Sequence, residues 1–305
     1  MPHIYLMGNK DKHRVFKSVI TICLAWLVLF TPSISWGWGP GGHMIVAQIA
    51  FDRLNPKAKA QAAKLLAIPI DPAAISAKDR DFVNAAHWAD DLRPFQRFDS
   101  FKALHFIDQP FSADGTALPK LPTPNIVTAL TDNVNILKTS KDPNAQAQAL
   151  RFIIHFVGDI HQPLHCATRV DKLHPTGDRG GNELTIRING KKNELHSYWD
   201  GGIGSFPKAG AHFAPPPLAQ IPPAAATAMA GNPDTDPKLK LKSPFAFKTW
   251  ARESFTMAKA VAYNGIQDGG TPSAAYNTKA TATARQRVAW GGYRLAALLN
   301  AIWPE

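Results

Sequence analysis

The segment 145–165, AQAQALRFIIHFVGDIHQPLH, constrains the fold more than any other stretch of the chain. Apolar residues recur three and four positions apart over 145–158, so the segment predicts a buried helix. The same helix carries His155 and Asp159, four residues apart and therefore one turn apart on one face. Titratable groups on an apolar face are costly to bury unless something pairs with them. Pro163 should stop the helix and turn the chain, bringing His165 back toward the same region. Such a chain must fold around a polar interior site.

Five further residues share this character. Asp90 sits in HWADDLR, His105 in LHFID, His196 and Asp200 four apart in LHSYWD, and His43 in WGPGGH. Each alone reads more readily as a satisfied core histidine or a paired carboxylate. Two His/Asp pairs at helical spacing, with three further single positions, instead point to ligands of metal ions. The chain has only two cysteines, Cys23 and Cys166, which excludes a disulfide scaffold and any Cys-rich zinc module. The donor set is imidazole and carboxylate, which suits catalytic rather than closed structural zinc.

Helical spacing also marks 44–54, 57–66, 81–92, 124–138, 245–263 and 283–302, with Pro124 and Pro143 at helix starts. Residues 183–188 alternate like a strand and run into Asn189-Gly190, a strong hairpin signal. Nine prolines fall from Pro207 to Pro244. That stretch is either a linker between two domains or, as we prefer, a long surface excursion within one. The expected architecture is a single all-α domain with one small β-hairpin.

The first 37 residues read as a cleavable leader. Lys10, Lys12, Arg14 and Lys17 precede an apolar run of 13 residues (18–30), too short to span a bilayer comfortably, and Ser35 and Gly37 suit cleavage before Trp38. An uncleaved anchor is the alternative. Cleavage predicts a periplasmic or secreted protein of 268 residues without stable membrane association, and lowers the net charge from +11 to +8. A basic surface of that size favours polyanionic partners. Cys166 would then be the lone thiol, read here as a small buried apolar residue.

WGPGGH (38–43), WADDLR (88–93), LHFID (104–108), HFVGDIHQPLH (155–165), GGN (180–182) and LHSYWD (195–200) together resemble the S1/P1 nuclease family, in order and in most spacings. A weaker likeness continues at WARES (250–254) and GGYRLAALL in the final helix. The resemblance implies an all-helical domain holding three zinc ions. Transferred residue by residue, Asp90, His105, His155 and Asp159 would hold one zinc. Trp38, through a freed α-amine and its carbonyl, would hold a second with His43 and a bridging Asp159. His165, His196 and Asp200 would hold the third. Close zinc ions lower the pKa of water and stabilise charge on a transferring phosphate.

The implied activity is hydrolysis of single-stranded RNA and DNA to 5′-phosphorylated products by a monomer, with nucleotides also accepted in a 3′-nucleotidase activity. Asp90 and Asp159 hold the catalytic ions. Arg93 would brace the scissile phosphate, against the alternative of an ion pair with Asp90 or Asp91. Phe106 would stack a base and Asp108 hydrogen-bond it, while Asn182 would donate to the phosphate. Arg179 stands where the fungal pattern has an apolar residue against the base, and the stretch 166–179 is longer than in that pattern. Because an amine ligates only when free, a chain retaining residues 1–37 should be inactive. Two alternatives remain: a zinc phospholipase C, whose last ligand is typically glutamate rather than Asp200, and a non-catalytic periplasmic protein that binds zinc or nucleic acid. His161 is expected to be structural, His87, His174 and His212 to be surface or core residues, and Asp91 and Asp178 to be solvated.

Overall fold

In the computed structural model, which describes residues 37–72, 78–208, 210 and 214–305, the first helix is α1, Pro40–Phe51. Pro40 occupies the first helical position, where its missing N–H costs nothing. Ten of its twelve residues are buried, so α1 is a core helix without a solvent face. Helix α2, Pro56–Leu66, starts at an Asn55 cap whose side chain accepts from Ala58 N at 2.7 Å. The expected leader lies outside the described residues except for Gly37, as does His212.

The spacing over 81–92 resolves into a 3₁₀ turn, Asn84–His87, followed by the short α3, Trp88–Asp91. Asp81 Oδ1 accepts from Val83 N and Asn84 N, which tightens the start. A 3₁₀ run, Gln96–His105, then leads to the strand β1, Pro110–Ser112. Helix α4, Ile126–Thr139, opens with a capping box between Asn125 and Thr128. Helix α5, Pro143–Asp159, is capped by Asp142, and twelve of its seventeen residues are buried. It ends at Asp159, and Pro163 heads a 3₁₀ turn, Pro163–Cys166.

Strand β2, Thr168–Val170, pairs with β1 in parallel, a contact the sequence reading missed. The expected hairpin is present as β3, Thr185–Ile188, and β4, Lys191–Glu194, with Asn189 and Gly190 both at positive φ between them. Helix α6, Leu195–Asp200, follows directly. The proline-rich excursion is not structureless: it contains α7, Ile221–Met229, which buries Ile221, Ala225 and Ala228. Pro222 and Pro223 lie in its first turn, where proline starts a helix rather than breaking one.

Helix α8, Phe247–Met257, passes into a π turn, Ala258–Ala262. The last helix, α9, Ala274–Ile302, begins earlier than expected, at a Ser273 cap that accepts from Tyr276 N at 3.1 Å. It packs along α1, while α4 packs on α5 and α8 on the 163–166 turn. A Cβ on Gly292 would lie 2.5 Å from Ile49 Cβ, so the α1–α9 contact depends on a bare backbone there. One hydrophobic cluster runs from Trp38 through α5 to Leu299, and among the described residues strands are confined to two two-stranded sheets. The fold is all-α, and among the described residues no helix is long and apolar enough to cross a membrane.

Candidate metal centre

Helix α5 delivers His155 and Asp159 from its last turn, and both are fully buried. Asp159 Oδ2 lies 3.0 Å from His155 Nε2 and 3.0 Å from His105 Nδ1. Asp90 Oδ1, from α3, stands 3.5 Å from His155 Nε2 and 3.7 Å from His105 Nδ1. On its other oxygen, Asp159 Oδ1 faces His43 Nε2 at 3.3 Å and His165 Nδ1 at 3.6 Å. The His43 ring stacks on His155 with centroids 3.9 Å apart. His196 Nε2 lies 3.6 Å from Asp200 Oδ1, and its ring centroid is 5.0 Å from that of His165.

The ligand atoms form three groups able to hold a metal ion: His43, His155 and Asp159; Asp90, His105 and His155; and His165, His196 and Asp200. All eight side chains are buried.

Backbone carbonyls aim the imidazoles. Nδ1 of His155, His165 and His196 each lies 2.7 Å from a carbonyl, those of Ala86, His105 and Gly180 respectively. An imidazole that donates one N–H to a carbonyl presents the other nitrogen as a lone pair, the arrangement found behind metal-ligating histidines. Gln162 Nε2 donates to Asp200 Oδ1 at 2.8 Å, while its Oε1 accepts from Leu164 N.

The electrostatics fit a cation better than protons. Burial, reinforced by the His155 charge, pushes His43 down to about 4, and burial takes His165 to about 3. Burial also works against charge on His155, but Asp159 and Asp90 outweigh it and raise the ring to about 9. One site thus mixes imidazoles that shed their protons with one that keeps it. Both nitrogens of His43, Asp90 Oδ1, Asp159 Oδ1 and His196 Nε2 have no hydrogen-bond partner. Several orphaned buried atoms this close together are costly, and divalent cations with mixed nitrogen and oxygen ligands would satisfy them.

Trp38 is buried, its ring edge-on to Phe206 with centroids 5.4 Å apart. The residue before it enters the cluster: Gly37 N donates to His165 Nε2 at 2.5 Å. A Cβ on Gly37 would fall 2.2 Å from Asp159 Oδ1 and 2.8 Å from His43 Nε2. The Gly37 backbone therefore fills the space that an ion between these residues would need.

Around the clusters, Arg93 Nη2 pairs with Asp90 Oδ2 at 2.7 Å, the ion pair that the sequence offered as the alternative to a phosphate contact. Phe106 is half-buried and extended, immediately after His105. Burial pushes the Asp108 carboxyl up to about 7, with His196 and Arg179 pulling it back, which sets Asp108 beside the third cluster. Asn182 donates from Nδ2 to Arg179 O at 2.7 Å, and its Oδ1 has no partner. Arg179 is exposed at φ 55°, and its N–H donates to Thr168 Oγ1.

Two expectations are overturned. Asp178 is not solvated but fully buried, accepting from Arg169 N, Gly181 N and Tyr263 Oη at 2.8–3.1 Å. The stretch 166–179 folds back on the molecule, and Asp178 anchors the turn whose Gly180 carbonyl orients His196. Asp91 is only about one-third exposed and holds His87 Nδ1 at 2.7 Å. His161 is fully buried, as a structural residue should be: Nδ1 meets Val157 O, and Nε2 meets Arg294 Nη1 at 3.0 Å. His87 and Cys166 are buried, and His174 is partly exposed.

Gly158 and Gln162 were missed by the sequence reading. A Cβ on Gly158 would lie 2.6 Å from His43 Nδ1. A glycine inside a well-formed helix was the available signal.

Residues 38–304 match the family described as S1/P1 Nuclease. Endonuclease 2 of Arabidopsis thaliana is 28% identical over 316 aligned positions, covering 97% of this chain and all of that protein. Nuclease P1 of Penicillium citrinum is 28% identical over 177 positions, 53% of this chain and 57% of that protein. Nuclease S1 of Aspergillus oryzae is 28% identical over 188 positions, 60% of this chain and 58% of that protein.

Proposed function

The chain belongs to the S1/P1 nuclease family, and from that premise we propose a zinc-dependent endonuclease that hydrolyses single-stranded RNA and DNA to 5′-phosphorylated products. It also acts as a 3′-nucleotidase through the same site, and it works as a monomer. The observation that carries the reading is the convergence of His43, Asp90, His105, His155, Asp159, His165, His196 and Asp200 on contiguous buried clusters with orphaned ligand atoms.

Three zinc ions fit this donor set. Asp90, His105, His155 and Asp159 would hold one; Trp38, His43 and Asp159 a second; His165, His196 and Asp200 the third. When bound, the ions supply a water of lowered pKa and stabilise negative charge on the phosphate. The protein's own groups do the rest. Asp90 holds Arg93 at the rim of the site, so its guanidinium meets a phosphate oxygen with little loss of side-chain freedom. Phe106 offers a stacking face, a contact of about 1–3 kcal/mol that any base can make. Asp108, raised toward neutrality, can donate or accept at a base edge near pH 7. Asn182 donates toward the phosphate, and Arg179 adds charge beside the base. Only an unstacked strand can satisfy Phe106 and the metal ligands together.

Export and cleavage before Trp38 complete the site: they free the Trp38 amine and withdraw Gly37 from between His43, Asp159 and His165. The product would be periplasmic or secreted.

Metal analysis of the processed protein, paired with assays on RNA, single-stranded and duplex DNA, and phosphatidylcholine, tests the reading. Three zinc ions and preferential cleavage of single strands are expected. Asp159→Asn should lose two ions and all turnover while keeping its helical circular dichroism. Hydrolysis of phosphatidylcholine alone would mark a phospholipase, and retained zinc without hydrolysis a binding protein; either result, or an active Asp159→Asn, refutes the proposal.

A further inference from the structure

A separate group of ligand atoms lies on the segment that carries Asp90. One donor atom from each of Asp79, His87 and Asp91 lies within 4.8 Å of the other two. Asp79 and His87 are 2% and 3% exposed. His87 Nδ1 is 2.7 Å from Asp91 Oδ2, but its Nε2 stands 3.6 Å from Asp79 Oδ1, beyond hydrogen-bonding reach. His87 Nε2 and Asp79 Oδ2 both have no hydrogen-bond partner.

Arg151 is the neighbouring cation, yet its guanidinium hydrogen bonds go to the carbonyls of Ala147, Leu66 and Ile68. Two carboxylates thus face a single imidazole in a largely dry environment, and one ring nitrogen and one Asp79 oxygen are left unsatisfied. Burial leaves the Asp79 carboxyl raised to about 6 even with His87 and Arg151 nearby, as expected where counter-charge is short.

We propose that Asp79, His87 and Asp91 form a fourth divalent-cation site, distinct from the three clusters above. An imidazole with two carboxylates suits zinc or manganese, whereas magnesium and calcium favour all-oxygen sets. Asp91, about one-third exposed, gives an entry path and leaves coordination positions open to water. The site has a structural consequence. His87 and Asp91 bracket Trp88–Asp90, and the adjacent Ala86 carbonyl aims His155. An ion joining them to Asp79 ties down the stretch from Asn84 to Asp91, and with it both Asp90 and the orientation of His155. Only that consequence rests on the function proposed above; the site does not.

The test is a difference in metal content. Processed wild-type protein, Asp79→Asn and His87→Gln are equilibrated with zinc, and separately with manganese, desalted, and analysed by mass spectrometry of the metal. Wild type should hold one ion more than each variant, whatever its total; the total bears on the function above, the difference on this site. Asp91→Asn, altering only the rim, keeps the buried pair intact and should lose its outermost ion to a chelator at least tenfold faster than wild type. Zinc should also raise the thermal midpoint of wild type by an increment that His87→Gln lacks. Equal ion counts in wild type and both folded variants, or an unchanged chelator rate in Asp91→Asn, would mean that a protonated His87 merely bridges two carboxylates and would overturn the proposal.

Discussion

Gly158 offers the sharpest test of how tightly the centre is built. Replacing it with alanine should stabilise an ordinary helix interior by up to about 1 kcal/mol. Here the new Cβ would sit 2.6 Å from His43 Nδ1 and 3.1 Å from its Cε1. Ordinary contact begins near 3.4 Å, so the ring must retreat by about 0.8 Å. It has nowhere to go without cost: His43 is fully buried and stacked on His155 at 3.9 Å. Overpacking of this kind costs about 1–3 kcal/mol, which leaves the variant between neutral and about 2 kcal/mol less stable.

The functional effect is larger. Zinc–nitrogen bonds hold to within about 0.2 Å of their ideal length, and the required shift is several times that. A misplacement near 1 Å costs on the order of 100-fold in rate. Gly158→Ala should therefore remain folded, with a midpoint within a few degrees of wild type, while losing zinc from the His43 position and roughly two orders of magnitude in kcat on single-stranded RNA. Full zinc occupancy with undiminished turnover would refute the claim that His43 needs this bare stretch of backbone.

Other outcomes follow from the same geometry. A processed protein that retains Gly37 ahead of Trp38 should bind one ion fewer and run at least about tenfold slower, recovering when trimmed, because Gly37 lies against Asp159 and His43; equal rates before and after trimming would remove the switch. The adjacent glycines of α9 should respond differently: Gly291→Ala, whose Cβ meets neighbours no closer than 3.4 Å, raises stability by up to about 1 kcal/mol, whereas Gly292→Ala, 2.5 Å from Ile49 Cβ, forfeits that gain and lowers stability by up to about 2 kcal/mol net in urea titrations. Burial, with Arg287 and Arg294 alongside, holds His161 well below the usual imidazole range. The native state then leaves it neutral while the unfolded chain takes up a proton below about pH 6.5, so stability is lost as pH is lowered through that range, by up to about 1.4 kcal/mol per pH unit. The difference from His161→Gln isolates that slope, and a pH-independent difference would contradict it.

The candidate ligands that the fold brings together were legible in the sequence because titration is a property of the side chain at its own position. His155 and Asp159 on an apolar helix face announce themselves wherever the helix goes, and the Asn189-Gly190 turn fixes its hairpin from two residues alone. What was not legible depends on where the backbone travels. The carbonyls of Ala86, His105 and Gly180, which aim three imidazoles, belong to residues that any sequence could hold. Asp178 reads as a surface charge beside Gly177 and Arg179 until the chain folds back and presents it to three donors. The β1–β2 pair joins distant segments with no alternating pattern. Pro222 and Pro223 look like breakers until their place in the first turn of α7 is known.

Gly158 lies between these two cases. Its cost to the helix is visible locally, about 1 kcal/mol against alanine, but the reason for accepting that cost is visible only once His43 is seen against it. A residue that weakens its own element is thus a point where local sequence carries information about tertiary contact. The same reasoning reaches Asp79 and His87: each is a buried polar residue that leaves one side-chain atom unsatisfied, which is the position in which His43 and Asp159 also stand. A buried imidazole and carboxylate that each leave an atom unsatisfied, within ligand distance of one another, mark the outer group as they mark His43 and Asp159.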